Sequence, residues 1–241
     1  MLGGELFRDL PEAELRRLVA IAQRRRFARN EVVFHRGDPA DTLHLIVKGR
    51  FAARVESSVG DSVTVSVHGP GDAFGELALL DLEQHRSTTI AALESGETFA
   101  VRREDFTRLR REYPSVHEVL ARLLAARVRR ISELYVEALF LTAETRVLRR
   151  LHELAILYGN DAPGTSITLS QQEIAGLAAT SRVTVNRVLR AEAAHGTVTL
   201  HRGQTTINDP AALARRAHLA SPRGEPGQAS GDGPSAGDLS R

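Results

Sequence analysis

The sequence predicts an α+β fold: an antiparallel β jelly roll, then one long helix, then a small helical domain closed by a β-hairpin. Three observations lead to this prediction. Between Glu31 and Val101, short β-type runs are separated at fairly even intervals by Gly, Pro and Asp turn signals. From Pro114 to Phe140, apolar residues recur with a helical period. Beyond residue 141, helix-capping residues precede a hairpin signal.

The composition suits two modest domains. Of the 241 residues, 42% are hydrophobic, which is enough for real cores. The formal charge of +2 is unevenly distributed: residues 1–101 carry 12 basic and 15 acidic side chains, whereas residues 143–220 carry 9 and 6. The C-terminal part is therefore the better partner for a polyanion.

Several classes of protein are excluded by the residues present. The chain has no cysteine, which excludes disulfides and thiolate-ligated iron–sulfur clusters. None of the nine histidines has a metal-binding spacing and no serine lies in a GxSxG motif, so we expect no metal site and no enzyme. No apolar run is long enough to cross a bilayer, and the start lacks the apolar core of a signal peptide. We therefore expect a cytoplasmic protein with no membrane partner.

Residues 1–113 are predicted to form the first domain. Pro11 to Arg26 is predicted to be a short leading helix. Alternation of apolar and polar residues, as around Leu43, Leu45 and Val47, then indicates strands with one buried face.

Residues 114–140 are predicted to form the long helix. A seam with spacings of 4, 3, 4 and 3 residues is typical of a helix that pairs with a copy of itself. Its members are Leu124, Val128, Ile131, Tyr135 and Ala138. The alternative is a single helix whose seam is buried against its own barrel. Phe140 to Thr145 is then the expected hinge to the next domain.

Residues 141–213 are predicted to form a winged helix-turn-helix. A helix is expected from Glu144 to Tyr158, and Ser170 with Glu173 forms a capping box that starts another at Gln171. Ser181 can cap the next helix, whose core face is Val185, Val188 and Leu189. A hairpin is expected from Val198–Leu200 and Thr205–Ile207 around Arg202. Residues 214–241, rich in Pro, Gly and Ser, are expected to be a disordered tail.

Two segments carry the chemistry. Gly71 to Thr89 combines small residues, which let backbone N–H groups converge on an anion, with the carboxylate of Glu76 and the guanidinium of Arg86. Such a segment is suited to a small phosphorylated ligand. In the second helix of the helix-turn-helix, Val183, Arg187 and Arg190 point away from the core, with Arg182 and Asn186 towards its edges. We expect this face to enter the major groove of DNA.

From about Leu6 to Leu213 the chain, through these two segments, resembles the Crp/Fnr family of bacterial transcription regulators. The resemblance implies a jelly roll of the cyclic-nucleotide-binding type that binds cAMP or another cyclic nucleotide. It also implies a homodimer, binding to a near-palindromic double-stranded DNA site, and contact with RNA polymerase through the loop Gly159 to Gly164.

The resemblance also implies roles for particular residues. Glu76 would bind the ribose 2′-hydroxyl, and Arg86 and Ser87 would bind the cyclic phosphate with backbone N–H groups after Gly75. The predicted effector set is Gly75, Glu76, Leu77, Ala78, Arg86, Ser87, Ile131 and Ser132. Arg182 and Arg187 would contact guanine edges, and Ser181 or Thr184 would contact phosphate. The predicted DNA set is Ser170, Gln171, Ser181, Arg182, Val183, Thr184, Asn186, Arg187, Arg190 and Arg202.

Four residues depart from the family pattern. Ile131 replaces a hydrogen-bonding residue expected to contact the base, so the effector is cAMP at lower affinity, cGMP or another cyclic nucleotide. Val183 stands where glutamate is frequent, which predicts an altered half-site at one base. Ala179 replaces a turn glycine, and Glu192 stands where leucine usually packs.

Two other interpretations remain open from the sequence. One is a regulator that binds DNA constitutively, with a vestigial pocket closed by a Glu76–Arg86 ion pair. The other is a cyclic-nucleotide-binding module whose degenerate helix-turn-helix contacts protein instead of DNA.

Overall fold

The structure, a computed structural model, describes residues 12–56, 62–79 and 85–219. Their elements are α1 (Glu12–Ile21), β1 (Gln23–Phe27), β2 (Val32–Phe34), β3 (Thr42–Lys48), β4 (Phe51–Glu56), β5 (Ser62–His68), β6 (Ala73–Phe74), a 3-10 helix (Glu76–Leu79), β7 (Thr89–Ala92), β8 (Gly96–Arg102), α2 (Arg103–Glu112), α3 (Pro114–Phe140), α4 (Ala143–Gly159), β9 (Thr165–Ile167), α5 (Gln171–Leu177), α6 (Arg182–Ala194), β10 (Val198–His201), β11 (Gln204–Ile207) and α7 (Pro210–Arg216). The predicted disordered tail, residues 214–241, is wrong at its start, because α7 continues to Arg216 and Ala217 is completely buried in the core. The part after residue 219 lies outside the described residues.

Two antiparallel four-stranded sheets form the N-terminal barrel. Their strand orders are β1-β8-β3-β6 and β2-β7-β4-β5, so apart from the hairpin β4-β5 the neighbours in each sheet are not consecutive in the chain, as in a jelly roll. Phenylalanines fill the space between the sheets, with Phe51 and Phe74 almost completely buried. The long helix and the helix-turn-helix follow, which confirms the predicted α+β fold class.

The predicted leading helix is wrong at its end. It stops at Ile21, and Gln23–Phe27 is strand β1, paired antiparallel with β8. Arginine has a high intrinsic helix propensity, but here the backbone hydrogen bonds to β8 make these residues a strand. Arg24 Nη2 donates to Glu97 Oε2 of β8 at 2.8 Å, and Phe27 enters the barrel core. Pro11, the predicted first residue, lies outside the described residues.

Helix α3 spans Pro114–Phe140, as predicted, with proline in its first turn, where a missing N–H costs nothing. Its first half packs on the barrel and on α2 through Val116, Leu120 and Leu123. Of the predicted seam, Leu124 packs partly against this cluster, whereas Val128, Ile131 and Tyr135 are each more than 60% exposed. The interpretation in which the whole seam is buried against its own barrel is therefore wrong.

The C-terminal domain has the predicted helix starts. Ser170 Oγ accepts from the N–H of Glu173, whose side chain accepts from the N–H of Ser170, so the capping box is confirmed. Ser181 caps α6 by accepting from the N–H of Thr184. The predicted core face of α6, Val185, Val188 and Leu189, is buried. Helix α4 begins at Ala143, one residue before the prediction, because Thr142 caps it.

Ala179, between α5 and α6, has a φ of 48°, in the left-handed region that a Cβ disfavours. This strain was expected from its place in the turn. We predict that Ala179→Gly raises the free energy of unfolding by about 1 kcal/mol, or a few degrees in Tm by calorimetry. The control is Ala178→Gly at a φ of −92°, where relief of strain is impossible and the loss of a buried methyl should destabilise the domain. Equal effects in both variants would contradict the prediction.

Glu192 is 1% exposed at a position where a leucine would be expected to pack. Its carboxylate is satisfied in full: Thr197 Oγ1 donates to Oε2 at 2.6 Å and Arg216 Nε donates to Oε1 at 2.8 Å. The ion pair joins α6 to α7 and to the start of the wing. Glu192 is thus a structural link within the domain.

The two domains contact each other through β5 and α5. Arg54 of β4 donates to Glu173 of α5 at 2.8 Å, and Gly176 lies so near β5 that a Cβ would approach the Thr64 carbonyl oxygen to 2.7 Å. Arg50 donates to the carbonyls of Leu157 and Tyr158 at the end of α4. The edge of the barrel therefore contacts the C-terminal domain directly. In the part of the chain that the structure describes, no helix is long and apolar enough to cross a membrane.

Candidate functional site

A cavity of about 340 Å³ opens between the barrel, the 3-10 helix and α3. This volume lies in the range of small-molecule sites. Six of the predicted effector residues line it: Gly75, Glu76, Leu77, Arg86, Ser87 and Ile131. Ser132 does not, since its hydroxyl donates to the carbonyl of Val128 at 3.0 Å on the exposed side of α3. Ala78 belongs to the same 3-10 helix as Glu76 and Leu77.

Glu76, 6% exposed, is held by a residue that the sequence analysis missed. Arg127 Nε of α3 lies 3.4 Å from Glu76 Oε1. Arg86 is not its partner, because the Arg86 guanidinium donates instead to Thr42, with Asp41 at 3.5 Å. The Glu76–Arg86 ion pair, which belonged to the alternative interpretation of a vestigial pocket, is therefore not formed. Arg127 lies one helical turn before Ile131, and this spacing could have identified it from the sequence.

Arg86 is placed to receive an anion. It is 6% exposed, its guanidinium lies 4.0 Å from the centre of the Phe34 ring, and its Nε has no hydrogen-bond partner among the described residues. Burial lowers the pKa of Arg86, while Asp41 and Asp38 oppose the shift. Gly75, with a φ of 81°, allows the approach: a Cβ there would meet Arg86 Nη1 and the Thr42 carbonyl oxygen, each at 2.8 Å. A buried unpaired donor beside this glycine fits a phosphate oxygen.

Two neutral histidines belong to the barrel interior. His44 Nδ1 is 3.0 Å from Thr98 Oγ1, and its ring stacks on Phe74. His68 Nε2 is 2.9 Å from Ser66 Oγ, and both residues line the cavity. Burial lowers the pKa of each histidine to about 3, with Arg86 adding to the shift at His44 and Arg127 at His68.

These pKa values predict that the protein loses stability between pH 7 and pH 5, at a pH above the range in which carboxylates titrate. The unfolded chain takes up both protons near pH 6.5 and the folded chain only near pH 3, so stability present above pH 6.5 is lost as the pH falls. We expect the free energy of unfolding by urea to drop by about 2 to 4 kcal/mol between pH 7 and pH 5. His68→Gln should remove about half of this dependence. A flat profile from pH 7 to pH 5 in the unaltered chain would contradict the prediction.

The second candidate surface lies on the helix-turn-helix. A groove lined by Ser170, Gln171, Arg182, Asn186 and Arg202 runs between α5, α6 and the turn of the hairpin. Asn186 Nδ2 donates to Gln171 Oε1 at 3.1 Å and joins the two helices. Val183, Arg187 and Arg190 are exposed on the adjacent face of α6, as the helical period predicted. Ser181 and Thr184 bind each other at the start of α6, where N–H groups suit a phosphate.

Val183 is 79% exposed, so packing within the domain does not account for an apolar side chain at this position. A valine in the major groove packs on a thymine methyl but cannot accept from cytosine N4. We predict that Val183→Glu changes the preferred base at one position of each half-site to cytosine, by about tenfold or more, in selection from a random duplex library. Val183→Thr keeps a methyl and should leave the preference unchanged. Identical selected sites for all three proteins would contradict the prediction.

The chain is similar to known proteins over both regions. The model of the cyclic nucleotide-binding domain matches residues 24–113, and that of the Crp-like helix-turn-helix domain matches residues 145–216. The "Cyclic AMP receptor protein" of Thermus thermophilus is 36% identical over 214 residues, which cover 88% of this chain and 96% of the relative. The "CRP-like cAMP-activated global transcriptional regulator" of Mycobacterium tuberculosis is 31% identical over 194 residues, which cover 79% and 86%.

Solved structures agree on the fold. A transcriptional regulator of the CRP family from Thermus thermophilus superposes with a TM-score of 0.67 at 27% identity. The match covers 80% of this chain and 96% of that one. The barrel, the long helix and the helix-turn-helix therefore form one arrangement that recurs in other proteins.

Proposed function

We propose that this chain, which belongs to the Crp/Fnr family of transcription regulators, acts as a homodimer whose binding to a near-palindromic DNA site is controlled by a cyclic nucleotide. The cyclic nucleotide-binding domain and the Crp-like helix-turn-helix domain are both present, so the chain is a DNA-binding regulator with a nucleotide-binding module. Beyond this, we propose the homodimer, the near-palindromic DNA site and the control of DNA binding by a cyclic nucleotide.

The main observation behind this proposal is that one helix, α3, both lines the cavity and exposes the apolar seam expected to form the dimer. Helix α3 closes the cavity with Arg127 and Ile131, and the same helix exposes the apolar seam Val128, Ile131 and Tyr135. Exposed apolar side chains at this spacing are costly in water and fit a second copy of α3. A ligand in the cavity would therefore act at the expected dimer interface.

The chemistry of the cavity supports a cyclic nucleotide. The unpaired Nε of Arg86 suits the cyclic phosphate, and the Glu76 carboxylate can accept from a ribose hydroxyl. Ile131, at the α3 side, offers no hydrogen bond to a base. The first candidate is cAMP, because the two relatives are named as a cyclic AMP receptor and as a cAMP-activated regulator. The second candidate is cGMP.

DNA would be read by the exposed face of α6. In a two-fold dimer, two such helices about 34 Å apart match successive major grooves. Arg182 and Arg187 would contact guanine edges, and Arg190 and Arg202 would add phosphate contacts. The loop between α4 and β9, in which Asn160 and Asp161 both have a positive φ, is the proposed contact with RNA polymerase.

The proposal is tested by selecting DNA from a random duplex library with the purified protein at physiological salt, in parallel arms without nucleotide, with cAMP and with cGMP. A palindrome enriched only with one nucleotide is the expected result and identifies the effector. Equal enrichment in all arms would favour constitutive DNA binding, for which Ile131 in the cavity is the supporting observation. No enriched sequence in any arm would contradict DNA recognition and favour contact with a protein.

A further inference from the structure

Arg130 of α3 lies between two cavities and lines both of them. It lines the cavity proposed for the effector, next to Arg127 and Ile131. It also lines a second cavity of about 640 Å³, which lies between β5, α3 and α4 and has Arg150 and Glu153 in its wall. A side chain at this boundary can touch a ligand on one side and the DNA-binding domain on the other.

The present partner of Arg130 belongs to the DNA-binding domain. Its Nη2 donates to Glu153 Oε2 of α4 at 2.6 Å, which is the short distance of a charge-assisted hydrogen bond. Its other carboxylate neighbour, Glu133 on its own helix, is farther away at 3.7 Å. Arg130 and Glu153 are each 39% exposed in their side chains, so a competing ligand can reach the pair.

Glu153 does not depend on Arg130 alone. Its second oxygen, Oε1, lies 2.9 Å from Arg150 Nη2, and Arg150 is also bound to Glu137 at 2.7 Å. Arg150 is 3% exposed, with Nε and Nη1 lacking a hydrogen-bond partner among the described residues. If Arg130 leaves, Glu153 therefore keeps a cationic partner within its own helix, and the bonds from Glu137 of α3 to Arg149 and Arg150 of α4 remain.

We propose that the Arg130–Glu153 pair is a latch between the effector cavity and the DNA-binding domain. This inference rests on the proposed function for its ligand, a purine cyclic nucleotide. In the arrangement that the family resemblance implies, the base lies at the α3 side of the cavity, where a purine offers its N7, and guanine also O6, as acceptors for a guanidinium. A base that takes up Arg130 displaces Glu153 and removes one of the ion pairs that join α3 to α4, while Glu137 still binds Arg149 and Arg150. The nucleotide then favours the unlatched arrangement, because it binds that arrangement more tightly.

The test compares two matched substitutions in the full chain. Glu153→Gln weakens the bond between the domains, whereas Glu133→Gln removes the same charge from Arg130 within α3. Affinities for cAMP and for cGMP are measured by isothermal titration calorimetry. We expect Glu153→Gln to raise nucleotide affinity by about fivefold and Glu133→Gln to leave it within about twofold. Arg130→Gln should lower it, since the contact to the ligand is lost along with the latch.

Hydrogen–deuterium exchange at the joint between α3 and α4, residues 141–146, is the second readout. Saturating nucleotide should raise exchange there in the unaltered chain, and Glu153→Gln should raise it without nucleotide. Nucleotide binding of equal strength in Glu153→Gln and Glu133→Gln would overturn the latch and leave the proposed function standing. Binding of neither nucleotide by the unaltered chain would overturn the effector proposal itself.

Discussion

Arg86→Ala is expected to lower the affinity for a cyclic nucleotide by at least about 100-fold. Two charge-assisted hydrogen bonds to a phosphate are worth about 3 to 6 kcal/mol together, which corresponds to a factor between about 10² and 10⁴. Arg86 is the predicted residue for this role because it is buried, has an unpaired Nε and faces the glycine turn at Gly75. Titration calorimetry with cAMP and with cGMP measures the loss.

Two further variants make the Arg86 result specific. Arg86→Lys keeps the charge but loses the planar fork, so affinity should be intermediate between that of the unaltered chain and that of Arg86→Ala. Arg36→Ala removes an exposed arginine of the barrel outside the cavity and should leave affinity unchanged. Because Arg86 also holds Thr42, a melting curve must accompany each titration. Undiminished affinity in a folded Arg86→Ala protein would contradict the assignment of the phosphate site.

Arg187→Ala is the second substitution with a large expected effect. One bidentate contact to a guanine edge contributes about 1 to 3 kcal/mol of discrimination, and a two-fold dimer carries it twice. The affinity for the selected site should therefore fall by about 30-fold to 10⁴-fold, measured by fluorescence anisotropy at fixed salt. Arg187 is exposed on α6 next to the buried Val188, so its removal leaves the core intact.

The control for Arg187 is a substitution of equal charge far from α6. Arg111→Ala, on the exposed surface of α2, lowers the net charge by the same amount and should change DNA affinity by less than about threefold. A random duplex distinguishes base from phosphate contact. Suppose that Arg187→Ala lowers the affinity for random and selected DNA equally, and that the slope of log affinity against log salt concentration falls by about one. Arg187 then contacts phosphate, and the assignment to a base is wrong.

Local chemistry explains where prediction from the sequence succeeded. The capping box at Ser170 and Glu173, the cap at Ser181 and the proline at the start of α3 act over a few residues, so each helix start can be recognised from its own segment. The leading segment shows the opposite case. Arg24 lies in a strand because Gln23–Phe27 pairs antiparallel with β8, which lies about 73 residues further along the chain, and no local signal reports that partner.

The sequence by itself determined the order of the barrel, the long helix and the helix-turn-helix, the helix starts and the exposed face of α6. It also predicts the residues that we propose to bind a phosphorylated ligand. These follow from periodicity, capping and residue chemistry, which act over about one or two helical turns. Only the tertiary structure decided that Glu76 pairs with Arg127, that Arg86 binds Thr42, and that Glu192 joins α6 to α7. It also placed Arg130 against Glu153. Polar contacts of this kind join residues that are distant along the chain, and burial and packing of whole elements select one partner among many of similar chemistry.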